Sequence, residues 1–265
     1  SSARQRGAPP TMRNFVHFLR HEIRVILFSA SSYVAGVLFL LLMGLIYWAI
    51  LKGYTVAPQE DTPATQFFRI FWIPAFFVVP LLTMRSIAEE RRLGTLQTLL
   101  TTPTGPMVVV LAKFFAIYIF YLFLWACTIA FPLLAAEMTS VDQARIILFD
   151  PASLLGGYLF VALSGALFIA LGIFCSSLTR SQLVAGMLCF TGLFLLIAGS
   201  RLLLEVPLPK TGPLKALNAP FQYFQTFEHL LDFSTGIIDS RPFVYYISGS
   251  LLFLVFSVIL VERKA

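Results

Sequence analysis

Six apolar stretches parted by short polar breaks leave this chain few folds to choose from. A helix needs roughly 20 apolar residues, at about 1.5 Å rise each, to cross a bilayer's hydrocarbon core. The stretches fall at about 32–51, 67–84, 107–134, 154–175, 183–204 and 243–261. Of 265 residues, 58% are apolar and 12% charged, about half the charged share of a soluble domain. Lipid must therefore be part of the solvent. The expected fold is an all-α membrane protein with six transmembrane helices. The net charge of +6 is no nucleic-acid signal, because its arginines gather at span ends, where membrane orientation is set. Cys127, Cys175 and Cys189 fall inside spans and are expected as free, buried thiols.

Residues 1–11 read as a polar, disordered extension, with Met12 as a candidate start residue. The first apolar run is too long and too internal for a signal peptide. Residues 12–30 hold an amphipathic helix: Met12, Phe15, Val16, Leu19, Ile23, Ile26 and Leu27 recur at helical spacing. Arg13, His17, Arg20, His21 and Arg24 line the opposite face, as in helices that lie in the membrane interface with cations toward lipid headgroups. A helix packed on other protein has a similar pattern.

Residues 31–265 form the six-span domain. Tyr47 and Trp48 read as interface anchors of the first span, and Pro74 and Pro80 predict a kink or local unwinding in the second. In the fourth, Ala162, Ala166 and Ala170 at four-residue spacing, with Gly165 and Gly172, let helix backbones approach closely. The Lys and Arg bias places both termini, the 85–106 loop and the 176–182 link on the cytoplasmic side.

The 85–106 loop carries the functional argument. Ser86 and Glu89 have the spacing of a capping box, in which each side chain satisfies a free backbone amide. A short helix through Glu89, Glu90, Arg91 and Arg92 would stop at Gly94, and Thr95 would cap a second arm containing Leu96, Leu99 and Leu100. Such a charged and leucine-rich knuckle suits docking of a soluble partner that pushes on the adjoining spans. A solvated loop whose arginines only set topology is the plainer alternative.

The run from Pro80 to Pro103, followed by Leu111-Ala112-Lys113, resembles the permease subunits of type-2 ABC transporters. So does the far end, His229 to Asp239, with Arg241, Tyr245 and Tyr246 entering the last span. The likeness covers the chain from about Met12 and is nearest to the gliding-motility and nitrous-oxide-reductase-maturation branches. Gln97 stands where an acidic residue is common, and Ala112 where glycine is frequent. The resemblance implies that 12–30 is the connecting helix and 86–100 the coupling helix. Ser86, Glu89, Glu90, Arg91, Arg92, Gly94, Thr95, Leu96, Leu99 and Leu100 would then form the ATPase-coupling interface. It also implies an extracytoplasmic re-entrant helix at 217–236, in which Gly236 is a stop and Asp239 or Ser240 the next cap. The expected partners are two cytosolic ABC ATPases, which bind ATP and Mg, and a second permease, identical or homologous. An extracytoplasmic accessory protein is a further expected partner, in a bacterial inner membrane.

The 265 residues contain no Gly-x-x-x-x-Gly-Lys-Ser/Thr loop, so ATP hydrolysis by P-loop chemistry belongs to another chain. The chain reads as a non-catalytic permease subunit of an ATP-driven exporter, with no metal and no cofactor of its own. An intramembrane metalloenzyme is disfavoured because His17, His21 and His229 lie outside the spans. An ATP-independent channel or scaffold is the alternative; no ring of intramembrane charges offers it a filter. Arg69 and Arg201 near outer span ends, and Lys113 near the inner face, are expected to snorkel to headgroups, with a substrate path the other reading for the arginines.

Overall fold

The computed structural model describes residues 12–56, 61–95, 105–139, 148, 150–199, 226–234 and 240–263. All regular elements among them are helices: α1 Met12–Leu27, α2 Ala30–Val56, α3 Pro63–Arg69, α4 Trp72–Thr83, α5 Ala88–Leu93, α6 Pro106–Cys127, α7 Ala130–Met138, α8 Pro151–Leu178, α9 Gln182–Phe194 continued by a π-helical turn Leu195–Gly199, α10 Thr226–Ser234 and α11 Ser240–Arg263. Among the described residues, six helical segments are long and apolar enough to cross a membrane. These are Ala30–Tyr54, Trp72–Leu93, Pro106–Met138, Pro151–Leu178, Gln182–Gly199 and Ser240–Arg263. The chain is an all-α membrane protein.

Helix α8 is the centre of the bundle. Its most apolar window is 72% buried, against 22% for the segment of α9 and 28% for α11. It packs on α11, α9, α10, α6, α4 and α3. Glycines make this crowding possible. A Cβ on Gly165 would come 2.3 Å from the Tyr121 ring of α6, and one on Gly172 would come 2.3 Å from Thr83 Oγ1 of α4. Ala170 is fully buried, while Ala162 and Ala166 are half-buried; the Ala162 carbonyl accepts a hydrogen bond from Tyr118 Oη at 2.9 Å.

Prolines break two of the spans, each one turn upstream of the ring. Between α3 and α4 the chain tightens at Ile70 and Phe71, whose amides bond three residues back to Phe67 and Phe68. Pro74 lacks the N–H that would bond Ile70, and its ring crowds that carbonyl. The same happens between α6 and α7. Thr128 and Ile129 bond back to Trp125 and Ala126, four residues before Pro132. That second break carries no expectation from the span pattern, in which 107–134 reads as continuous. Pro80, by contrast, sits inside α4 without interrupting it. The two breaks abut. Phe68 stacks on Trp125 with ring centroids 6.4 Å apart, and meets Tyr158 edge-on at 5.0 Å. Tyr158 Oη in turn lies 2.9 Å from Thr128 Oγ1.

Several expectations change on contact with the structure. Tyr47 is a core residue rather than an interface anchor, since Phe67 and Phe131 cover its ring. Trp48 is exposed, and Lys52 Nζ lies 4.0 Å from its ring centroid. Arg69 is exposed and pairs with Asp61 at 2.8 Å, and Tyr54 Oη donates to the Asp61 carbonyl. The α1 helix packs chiefly on α6, with Phe15 edge-on to Phe115. Val16 and Leu27, on its apolar stripe, are exposed. Cys175 and Cys189 are buried and Cys127 half-buried, all as free thiols. Residues 1–11, Leu96, Leu99, Leu100, Arg201, 217–225, Gly236, Asp239 and the side chain of Arg13 lie outside the described residues.

Candidate functional site: a charged knuckle wired to four helices

After Thr83 the chain turns through Met84–Ile87 and enters the short helix α5. The capping box does not form. Ser86 Oγ donates instead to the Thr83 carbonyl at 2.9 Å, and Glu89 is held by Arg85 in a two-pronged pair at 2.9 and 3.1 Å. Its place is taken from a distance. Ser176, in the last turn of α8, accepts from the backbone amides of Ile87 at 3.1 Å and Ala88 at 3.0 Å. Its hydroxyl donates to the Met84 carbonyl at 3.3 Å. Ile87, Ala88 and Ser176 are all fully buried, so these amides have no recourse to water. Gly94 ends α5 with φ of 73°, the left-handed conformation that a Cβ disfavours. Thr95 Oγ1 turns back to the Glu90 carbonyl at 3.3 Å.

Of the four consecutive charges on α5, two face the protein. Glu90 Oε1 accepts from Lys113 Nζ of α6 at 2.6 Å, and the same ammonium lies 2.9 Å from Glu22 Oε1 of α1. Lys113 is 4% exposed and Glu22 8%, which corrects the expectation that Lys113 snorkels. A long cationic side chain in so dry a place needs paired charge, and two carboxylates converge on it. Glu90 Oε2 is buried without a hydrogen-bond partner among the described residues. Glu22 and Lys113 are both absent from the sequence-based site; Lys113 reads there as snorkelling, and Glu22 carries no reading. Glu22 is the one carboxylate before Glu60, and it sits seven residues after Phe15 and four before Ile26, within the apolar stripe of α1. A carboxylate in that register was the available signal.

Arg91 faces the other way. One terminal nitrogen donates to the Ser177 carbonyl at 2.5 Å and the other to the Leu260 carbonyl at 3.1 Å. Both acceptors lie in the last turns of their helices, α8 and α11, where carbonyls have no partner along the helix. A guanidinium there also meets the negative ends of two helix dipoles. Arg92 and Leu93 face outward, with the Arg92 side chain 60% exposed and Leu93 63%. The knuckle therefore joins α1, α6, α8 and α11 through four neighbouring residues, Ile87, Ala88, Glu90 and Arg91, and offers Arg92 and Leu93 to the outside. On α1, His17, Arg20, His21 and Arg24 are exposed at the same end of the bundle.

Residues 54–261 match the family described as ABC-2 family transporter protein. A comparison with curated protein sequences finds no match.

Proposed function

Because the chain belongs to the ABC-2 family of transporter proteins, we propose that it is the transmembrane permease subunit of an ATP-driven exporter, and that the α5 knuckle receives the stroke of a separate ATPase. The observation that carries this reading is the pair of opposed contacts at adjacent positions: Glu90 to α6 and α1, Arg91 to α8 and α11. A displacement of α5 would thus be felt by four helices at once, which is what a transmission element between a soluble motor and a bundle requires. The exposed Arg92 and Leu93 are the docking surface for the ATPase, with the arm beyond Thr95. Glu89, held by Arg85, borders it. By the charge bias, α1, α5 and both termini are cytoplasmic. Two ATPases carrying ATP and Mg, and a second permease, complete the transporter. The Pro80–Pro103 and His229–Asp239 segments support a place beside the gliding-motility and nitrous-oxide-reductase-maturation permeases.

The test separates docking from transmission. The chain is purified in mild detergent with whatever ATPase accompanies it, and hydrolysis is assayed after reconstitution. Arg92→Glu with Leu93→Ser is expected to lose the ATPase from the complex. Glu90→Gln is expected to keep it but uncouple hydrolysis from transport. A chain that purifies alone and without activity would overturn the reading in favour of a channel or scaffold.

A further inference from the structure

Beside the charged knuckle lies a cavity of about 530 Å³, between α1, the α1–α2 junction, the end of α4 with α5, and α6. That volume is within the roughly 300–1,000 Å³ usual for small-ligand pockets. Its apolar wall comes from Phe18, Val25 and Ile26 of α1 and from Leu81, Leu82 and Ile117. Its polar wall holds three carboxylates, Glu22, Glu89 and Glu90, against two cations, Arg85 and Lys113. Lys113 is shared by two of the carboxylates, and Arg85 is engaged by the third through Nε and Nη2. Among the groups lining the cavity one negative charge is left over; Arg92, outside the lining, approaches Glu89 only to 3.9 Å. The same deficit is visible at atomic level, since Glu90 Oε2 has no donor among the described residues. The terminal torsion of a glutamate is soft, so a modest turn presents this oxygen to the cavity. The Nη1 group of Arg85 stands outside its fork with Glu89.

The surroundings say where a ligand would come from. Val25, Leu27 and Phe28, at the end of α1 that borders the cavity, are exposed, with Phe28 81% open. Three serines, Ser29, Ser31 and Ser32, line the cavity where α1 gives way to the spanning helix α2. An apolar ledge, a hydroxyl rim and a charged floor in that order match the layers of a phospholipid at a membrane interface.

We propose that this cavity binds an ethanolamine-headed phospholipid, with its ammonium on the Glu22 and Glu90 carboxylates, its phosphate on Arg85, and its acyl chains leaving over Leu81 and Val25. A primary ammonium supplies N–H donors to the unpaired oxygen, which a choline headgroup lacks. A glycerol headgroup brings a phosphate but no cation to answer the excess charge. The site is independent of whether an ATPase drives the protein.

The experiment is native mass spectrometry of the full chain in detergent, titrated with phosphatidylethanolamine, phosphatidylcholine or phosphatidylglycerol of matched acyl chains, and with free phosphoethanolamine as competitor. The ethanolamine lipid is expected to be retained about tenfold better than the choline lipid, as for a gained charge-assisted hydrogen bond. Glu90→Gln should abolish that preference. Leu81→Trp fills the cavity without touching a charge, and should abolish retention while leaving the melting temperature near that of the parent. It decides the matter if Glu90→Gln does not fold. Equal retention of ethanolamine and choline lipids would overturn the proposal, as would a preference that survives Leu81→Trp. Full displacement by free phosphoethanolamine would overturn it too, by marking a soluble ligand.

Discussion

The guanidinium of Arg91 donates to the carbonyl of Leu260 at 3.1 Å, joining residues 169 positions apart. The contact closes the last turn of α11 onto the knuckle, while the same side chain closes the last turn of α8 through Ser177. Both carbonyls would otherwise lack a partner along their helices.

Arg91→Ala should therefore destabilise the bundle by about 1.5–3 kcal/mol, the usual worth of hydrogen bonds to a charged group. Arg91→Lys should recover only part of it, because an ammonium lacks the planar fork that spans two acceptors. Thermal unfolding in detergent, monitored by tryptophan fluorescence, ranks the three proteins. A lysine variant as stable as the parent would show that the fork is not needed.

Lys113→Met leaves Glu22 and Glu90 facing each other without a cation, and a loss of about 3–5 kcal/mol is expected. Neutralising all three, with Glu22→Gln and Glu90→Gln added, should restore most of it, since a buried ion cluster is costly to break and cheap to replace whole. The readout is the difference between single and triple variants in chemical unfolding. If the triple variant is the less stable, the cluster stabilises the fold beyond mutual compensation.

Ser176→Ala removes the acceptor of two buried amides at once. A penalty of about 1–3 kcal/mol follows for each group left unpaired. Hydrogen exchange at Ile87 and Ala88 should quicken while exchange in the middle of α8 stays slow. Ser86→Ala, at the position with the capping-box signature, should leave those two amides protected.

Gly172→Ala should impair assembly of α4 on α8, because the new Cβ would lie 2.3 Å from Thr83 Oγ1 and 2.7 Å from its Cβ. Thr83→Gly removes all the atoms in the way, so the double variant should fold better than Gly172→Ala alone. Yield of monodisperse protein on size exclusion measures this. Absence of rescue would place the obstruction elsewhere.

The spans and the position of the knuckle were legible because both are local signals: twenty apolar residues in a row, and a charged run closed by glycine. Gly94 could be recognised as a stop because its role depends on its own backbone alone. The wiring was not legible. Ser86 and Glu89 have capping-box spacing, yet Thr83 and Arg85 engage them first and Ser176 supplies the cap from another helix. Tertiary competition of this kind leaves no trace in spacing. Lys113 looked like a snorkelling residue because its partners, Glu22 and Glu90, are 91 and 23 residues away. Pro132 was a missed local signal, since a proline inside a long apolar run breaks the turn before it as reliably as Pro74 does.

The two proline breaks have a consequence for how the bundle bends. Thr83 lies 13 residues past Ile70, and Thr128 lies 15 residues past Lys113, so both joints stand about 20 Å along their helices from the ionic cluster. At the knuckle end the helices are riveted by charge and by Arg91. At the joints they meet through the rings of Phe68, Trp125 and Tyr158 and through the Tyr158–Thr128 hydrogen bond. Tilting the riveted end would turn about one shared elbow, where Phe68, Trp125 and Tyr158 meet, so α4 and α6 would swing together.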